Sequence, residues 1–277
     1  VQLASGQIAQ AEVVDKRPTI EVLRQSRFAE PLVRTVGTTA AEDVALQQAV
    51  AAYERRSRAD DFSSLTSFLA RYPHSGWAAA LQTNLGLSSR HNGYFSRAIT
   101  AWHAAWTDGR NASDPEARAL VDRAIGERAR LYAALGQFDH LQTLFTEISH
   151  RPISGSATEA VQSAREQLLL VTKDPKHLYL CGPMALKMLM LSRGVDYQRV
   201  RFLDYYRATP RGTSLVEVGR LANEVKLDYR LVFRAPGQPI PAKAIIHWKV
   251  GHFAAIVGEA NGRFHGQDPV FPGQGLW

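Results

Sequence analysis

The hydrophobic positions divide the chain into parts of different texture. Residues 1–44 mix apolar and polar residues without a sustained period, and Pro18, Pro31 and Gly37 interrupt them, which predicts an irregular N-terminal arm. Residues 45–171 are rich in Ala and Leu, and their apolar residues lie three and four positions apart, as in amphipathic helices. We therefore expect a helical domain over residues 45–171 with no strands in it.

Two stretches of this helical part, residues 75–106 and 123–148, align with each other at an offset of 43 residues. Each predicts two helices around a turn, with Gly93 in the first turn and Gly136 in the second. Residues 45–72 contain a weaker copy of the same pattern. Three such units are enough for a short solenoid, in which each repeat packs on its neighbours.

The first stretch resembles a tetratricopeptide repeat. Leu85 and Gly86 stand where that repeat has its Leu-Gly pair. Its second helix has small, large and small residues at the expected positions, namely Ala98, Trp102 and Ala105. The resemblance covers about residues 45–150 and implies a helical domain that presents peptide or protein partners. Because the offset exceeds the usual period of about 34 residues, an irregular helical bundle is the alternative.

The pattern changes near Thr172, so residues 172–277 are expected to form a second domain. Apolar spacing predicts a helix over residues 184–192. Ser214 lies three residues before Glu217, which is the spacing of a capping box for a helix over residues 215–226.

Strands are predicted after these helices. Four short apolar runs indicate them, at residues 229–233, 244–248, 253–258 and 263–266. Asn261-Gly262 is a typical hairpin turn between the last two. Helices followed by an antiparallel sheet predict an α+β domain, so the whole chain is expected to be an all-α domain followed by an α+β domain.

Composition and charge exclude several classes of function. The chain has 45% hydrophobic and 21% charged residues, and it lacks the run of about 18 apolar residues that a membrane-spanning helix needs. The net charge is +7, and residues 161–277 carry the whole excess. The basic residues form no run of five and are not interleaved with aromatic residues at stacking spacing. We therefore expect neither a membrane span nor a nucleic-acid partner.

Cys181 is the first candidate for chemistry. It is the only cysteine, which excludes an internal disulfide and a multi-cysteine zinc site. The sequence Cys181-Gly182-Pro183 precedes an apolar helix, and unpaired backbone N–H groups at a helix N-terminus stabilise a thiolate. A lone cysteine is more often a small buried hydrophobe, so a catalytic interpretation requires partners for the thiol.

His252 and Asp268 are the candidate partners. His252 opens the apolar strand HFAAIVG, and Asp268 follows on the next strand across the predicted hairpin. Antiparallel pairing brings the two positions within about 5 Å, which suits an imidazole oriented by a carboxylate. Taken singly, each residue has an ordinary interpretation, a histidine at a sheet end and an Asp-Pro turn. His247 is the second candidate for the base.

Residues 173–277 are similar to the bacteriocin-leader-processing cysteine peptidases, which cut double-glycine leaders and have a papain-like fold. The matching features are Cys-Gly-Pro at 181–183, Thr-Ser-Leu at 213–215, IIHW before HFAAIVG, and Asp-Pro at 268–269. The resemblance implies Cys181 as nucleophile, His252 as general base and Asp268 as the group that orients the imidazole. It also implies a secreted or extracytoplasmic bacterial protein that needs no cofactor. No metal is expected either, because these three residues lack the short paired spacings of zinc sites.

One departure from the family leaves alternatives open. The family has a Gln six residues before the cysteine that donates to the oxyanion, and this chain has Pro175 there. Other donors would have to replace it, and the candidates are Lys176, His177 and Tyr179 beside the Cys181 backbone N–H. A second hypothesis is therefore an inactive papain-like binding or scaffold module. A third is self-processing of a longer precursor at or near Trp277, with the remainder of that precursor as partner.

Overall fold

The computed structural model describes residues 28–173, 179–209, 212–235 and 237–271. These residues form ten α-helices, one 3₁₀-helix and a single three-stranded antiparallel sheet. The expected α+β class is confirmed. Over the same residues, none of the helices combines the length and the apolar character required to cross a bilayer.

The helical part contains seven helices and no strand, as the hydrophobic spacing predicts. In chain order they are α1 (Ala40–Glu54), α2 (Ser63–Arg71), α3 (Ala78–His91), α4 (Phe95–Gly109), α5 (Pro115–Ala134), α6 (Phe138–Glu147) and α7 (Ala157–Lys173). Helix α1 begins at Ala40, before the predicted start at residue 45, because Thr39 and Glu42 form a reciprocal capping box. The rest of the predicted arm up to residue 27 lies outside the described residues.

Short turns join helix α3 to α4 and helix α5 to α6. Gly93 has φ 77° and Gly136 has φ 69°, and both values lie in the left-handed region that glycine enters without steric cost. Gly86 lets α3 and α4 pack closely, because a Cβ atom there would lie 2.3 Å from Nε1 of the buried Trp102. The aligned glycines therefore have physical roles, two in turns and one in helix packing.

The C-terminal part carries the sheet. Its helices are α8 (Cys181–Ser192), α9 (Tyr197–Val200) and α10 (Leu215–Glu224), with a 3₁₀-helix at Arg201–Tyr205 after α9. Its strands are β1 (Ala244–His247), β2 (Phe253–Ala260) and β3 (Arg263–Gln267), in the order β1-β2-β3. Helix α8 packs on β2, and together with α10 they enclose one apolar core. The predicted hairpin turn is present, and both of its residues, Asn261 and Gly262, have positive φ.

Several predicted elements of the C-terminal part differ from the structure. Residues 229–233 form no strand, because Leu231, Val232 and Phe233 are exposed and their backbone pairs with no strand of the described sheet. Helix α8 begins three residues earlier than predicted, at Cys181. Helix α10 has the Ser214 hydroxyl accepting from the Glu217 N–H, but it ends at Glu224 rather than at residue 226.

The helical and C-terminal parts share an apolar core. Phe95 and Trp102 of helix α4 are buried in one cluster with Phe271, which follows β3, and Val250 of the β1–β2 loop packs against this cluster. The ring centroids of Phe95 and Phe271 are 4.9 Å apart. The loops at one end of the sheet are therefore held against the helices.

Candidate active site

Cys181 is the first residue of helix α8 and is partly exposed. The N–H groups of a first helical turn have no partner within the helix, so they point positive partial charge at this end. Gly182 lets the helix approach its neighbours, because a Cβ atom there would lie 2.7 Å from Val218 Cγ2 and 3.4 Å from Phe253. The thiol is thus fixed beside the start of strand β2.

His252 comes directly before strand β2, at the end of a tight loop. The Trp248 N–H donates to the His252 carbonyl at 2.9 Å, and the Gly251 N–H donates to the Trp248 carbonyl at 2.9 Å. Gly251 has φ 79°, which closes the turn at no steric cost. His252 itself is 1% exposed. Its ring therefore has a fixed orientation and little contact with water.

Asp268 follows strand β3 and holds one nitrogen of His252. His252 Nε2 lies 3.0 Å from Oδ1 and 2.9 Å from Oδ2 of this buried carboxylate. Oδ1 also accepts from the backbone N–H groups of Val270, at 2.8 Å, and Phe271, at 3.1 Å. The carboxylate is thus oriented by its own turn, and it acts as the acceptor that fixes the imidazole ring.

A β-bulge puts the carboxylate and the imidazole on the same face of the sheet. The turn end of the hairpin pairs Ala260 with Arg263, but the register shifts between Ile256 and Gly258, so that Ala255 pairs with Gln267. Continued by one residue, this register sets Asp268 opposite position 254, whose side chain shares a face with position 252. Without the shift Asp268 would lie opposite position 255, on the other face.

The second ring nitrogen, Nδ1, is buried and has no hydrogen-bond partner among the described residues. Since Asp268 holds Nε2, Nδ1 is the nitrogen left for Cys181, whose side chain interacts electrostatically with the imidazole. Burial by itself would lower the pKa of His252. The hydrogen bonds and negative charge of Asp268, together with the interaction with the Cys181 side chain, outweigh burial and raise the pKa of His252 to about 9. An imidazole with this pKa is protonated at neutral pH and places a positive charge in the site.

Three aromatic rings surround His252. Trp248 stacks parallel to it with ring centroids 5.6 Å apart, while Phe95 and Phe271 meet it edge-on at 6.3 and 5.7 Å. Such rings exclude water and strengthen the charge interactions within the site. Phe95 belongs to helix α4, more than 150 residues earlier in the chain. No local sequence signal could have linked it to the histidine.

Two of the remaining candidates, His247 and Tyr179, pack against aromatic rings. His247, the second candidate for the base, stacks on Phe253 with ring centroids 4.0 Å apart and makes no ion pair with a described residue. Burial and the nearby His252 lower the pKa of His247. The Tyr179 ring packs edge-on against Phe138. Pro175, Lys176 and His177 lie outside the described residues.

No group of three or more metal-ligating side chains that could hold a metal ion occurs among the residues with described positions. The site instead combines a sulfur nucleophile at a helix N-terminus with an imidazole that a carboxylate orients. This combination is suited to nucleophilic attack on a carbonyl carbon and to transfer of the proton to a leaving group.

We predict that the folded state loses stability as the pH rises through about 9. The pKa of His252 is about 9 when folded and about 6.5 in an unfolded chain. Its protonated form therefore contributes stability that is complete below pH 6.5 and lost by about pH 9, on the order of 3 kcal/mol. Urea unfolding at pH 6 and pH 9.5 measures this difference. The His252→Gln variant should show much less of it, and equal losses in both proteins would contradict the assignment.

Comparisons with models of known protein families, with curated proteins and with solved structures find no match to this chain. The arrangement of Cys181, His252 and Asp268 and the sequence motifs around them are therefore the basis for a functional proposal.

Proposed function

We propose that this chain is a cysteine peptidase that cleaves a peptide or protein, with Cys181 as nucleophile, His252 as general base and Asp268 as the orienting group. One observation carries the proposal: both oxygens of a buried Asp268 hold His252 Nε2, so only Nδ1 remains to exchange a proton with Cys181. The sequence order of the three residues also agrees with the leader-processing peptidases that residues 173–277 resemble.

At neutral pH the reaction begins from a pair in which His252 Nδ1 already carries the proton of the Cys181 thiol. The thiolate then attacks the carbonyl carbon of the peptide bond and forms a tetrahedral oxyanion. As this intermediate collapses, the C–N bond breaks and Nδ1 returns its proton to the leaving amine. The resulting thioester is hydrolysed by a water molecule, whose proton His252 accepts before the Cys181 thiol is regenerated.

The oxyanion requires hydrogen-bond donors. The Cys181 backbone N–H lies in the first turn of helix α8, where no intrahelical acceptor competes for it. In the peptidases that residues 173–277 resemble, a Gln supplies the second donor, and Pro175 occupies that position here. Loss of one such donor costs about 100- to 1,000-fold in rate. We therefore propose that hydrolysis is slow unless another group in the segment before Cys181 donates a hydrogen bond to the oxyanion.

Two fold assignments belong to the same proposal. A papain-like C-terminal domain is supported by the packing of helix α8, which bears the thiol, on strand β2, which follows the imidazole. A tetratricopeptide-like helical domain is supported by the paired helices and by the contact of Gly86 with Trp102. In this assignment the helices bind a partner or the substrate, and a double-glycine segment is the first substrate to test.

Alkylation of Cys181 by iodoacetamide tests the central claim without knowledge of the substrate. Because Cys181 is the only cysteine, mass spectrometry of the whole protein reports its modification directly. We expect the wild type to react at pH 6 at least about 10-fold faster than the His252→Ala variant, because the imidazolium stabilises the thiolate. The His247→Ala variant is the matched control and should react like the wild type.

A non-catalytic binding module is the alternative that the proline at position 175 favours. It predicts that Cys181 reacts like an ordinary thiol. The alkylation rate then falls about tenfold for each pH unit below the pKa of an ordinary thiol, and it does not depend on His252. Equal rates in the wild type and the His252→Ala variant at pH 6 would establish this alternative and end the peptidase proposal.

A further inference from the structure

The segment Gly136, Gln137 and Phe138, which covers the turn after helix α5 and the first residue of α6, contacts the chain just before Cys181 and just before His252. We call this segment the α5–α6 turn. We propose that this turn is a positioning element that sets the distance between the Cys181 sulfur and the His252 ring. The inference rests on the proposed function, and it makes the helical part a component of the active site.

On the nucleophile side, the turn holds Tyr179, two residues before Cys181. The Tyr179 ring meets Phe138 edge-on, with ring centroids 5.6 Å apart. It also packs so closely on Gly136 that a Cβ atom there would lie 2.7 Å from Tyr179 Cε1. Tyr179 has φ 72°, a left-handed conformation that costs a bulky residue energy and persists only where surrounding contacts impose it. The Thr213 hydroxyl donates to the Tyr179 carbonyl at 3.1 Å and fixes the same residue from the other side.

On the base side, the turn holds Val250, two residues before His252. Gln137 Nε2 donates to the Val250 carbonyl at 2.8 Å. This is a contact between residues 113 positions apart, and it ties the β1–β2 loop to the helices. Phe95 adds an edge-on contact to the His252 ring itself. The loop that presents the base is therefore anchored outside the sheet.

The anchoring has a consequence for chemistry because the thiol and the imidazole come from separate elements. Cys181 begins helix α8, whereas His252 lies in a loop of the sheet. Reacting groups must be held within about 3 to 3.5 Å, and a displacement of about 1 Å can cost about 100-fold in rate. The α5–α6 turn contacts both Tyr179 and Val250. It therefore fixes the segments before Cys181 and before His252 relative to each other more directly than the long chain between them does.

The test uses the isosteric substitution Gln137→Glu in the full chain. It keeps the size of the side chain but replaces the donor to the Val250 carbonyl with an acceptor, which repels it. Gln142→Glu is the matched control, since it makes the same change in charge at an exposed position of helix α6. The readout is the rate of Cys181 alkylation by iodoacetamide at pH 6 and pH 10.

We expect Gln137→Glu to lower the alkylation rate at pH 6 by about tenfold and to leave the rate at pH 10 unchanged. At pH 10 the thiol ionises without help from the imidazole, so a change in general accessibility would move both rates. The control should match the wild type at both values. In the His252→Ala background the same substitution should have no further effect, because the pair it positions is already absent.

Each outcome decides between the two claims. If the wild type and His252→Ala react equally at pH 6, the pair does not exist, and both the peptidase proposal and this inference fail. If the alkylation rate of the wild type at pH 6 depends on His252 but the Gln137→Glu variant reacts at the wild-type rate, only the positioning role is overturned. The same holds if the effect persists in the His252→Ala background. Should Gln137→Glu fail to fold, judged by circular dichroism, Gln137→Ala removes the donor without adding a charge and is judged by the same criteria.

Discussion

Replacement of Cys181 by alanine is expected to abolish peptide hydrolysis, with a loss of kcat on the order of 10⁵-fold. Removal of the nucleophile from a catalytic triad leaves only the contribution of binding and of the oxyanion donors. Cys181 is partly exposed at the beginning of helix α8 and packs against the edge of the apolar core. The variant should stay folded by circular dichroism with a modestly lower thermal midpoint of unfolding, so the loss of activity is chemical.

The measurement is the cleavage of quenched fluorescent peptides that contain a Gly-Gly site, followed with purified wild type and variant. Ser192→Ala, at the other end of helix α8, is the control and should retain full activity, because the Ser192 hydroxyl donates to the Leu189 carbonyl within its own helix. Cleavage by Cys181→Ala at a rate near that of the wild type would show that a different group is the nucleophile.

Replacement of Asp268 by asparagine is the second large effect, with an expected loss of kcat of about 10³- to 10⁴-fold. Asp268 Oδ1 accepts from two backbone N–H groups, and the asparagine carbonyl oxygen can keep these bonds. Its NH₂ group then faces His252 Nε2 and requires that nitrogen to be an acceptor. The ring proton moves to Nδ1, which can no longer take a proton from Cys181.

The pH dependence separates this role from a loss of folding. Without the carboxylate charge the pKa of His252 falls, so the alkaline limb of the alkylation profile of Cys181 should move to lower pH. Asp228→Asn is the control, since Asp228 is an exposed carboxylate after helix α10. An Asp268→Asn variant with unchanged kcat and an unchanged profile would remove Asp268 from the catalytic group.

Much of this architecture follows from local sequence signals. Apolar spacing predicts the helices of residues 45–171, and Asn261-Gly262 predicts the hairpin because a turn of this type requires positive φ at both positions. Antiparallel strands return the chain to its starting point, so the hairpin also predicts that positions 252 and 268 lie close, although not that their side chains share a face. These features depend on neighbours in sequence, and a single chain is enough to reveal them.

Other features depend on contacts between distant residues. The exposed run of residues 231–233 has strand-like composition, but composition does not say whether a partner strand is available. Phe95 reaches His252 through the shared core, and Gln137 reaches Val250 across 113 positions. Neither residue belongs to a motif. Their roles arise from the packing of the helical part on the sheet, which local periodicity does not encode.

Because of the β-bulge between Ile256 and Gly258, the number of residues in the hairpin decides which face of the sheet Asp268 occupies. The identity of the intervening residues matters less for this placement. Side chains alternate between faces, so the loss or gain of one residue between His252 and Asp268 would turn the carboxylate to the opposite side of the sheet. Conservative replacements of the intervening side chains leave that alternation intact. Single-residue insertions and deletions are therefore the sequence changes that this hairpin tolerates least, even far from the thiol.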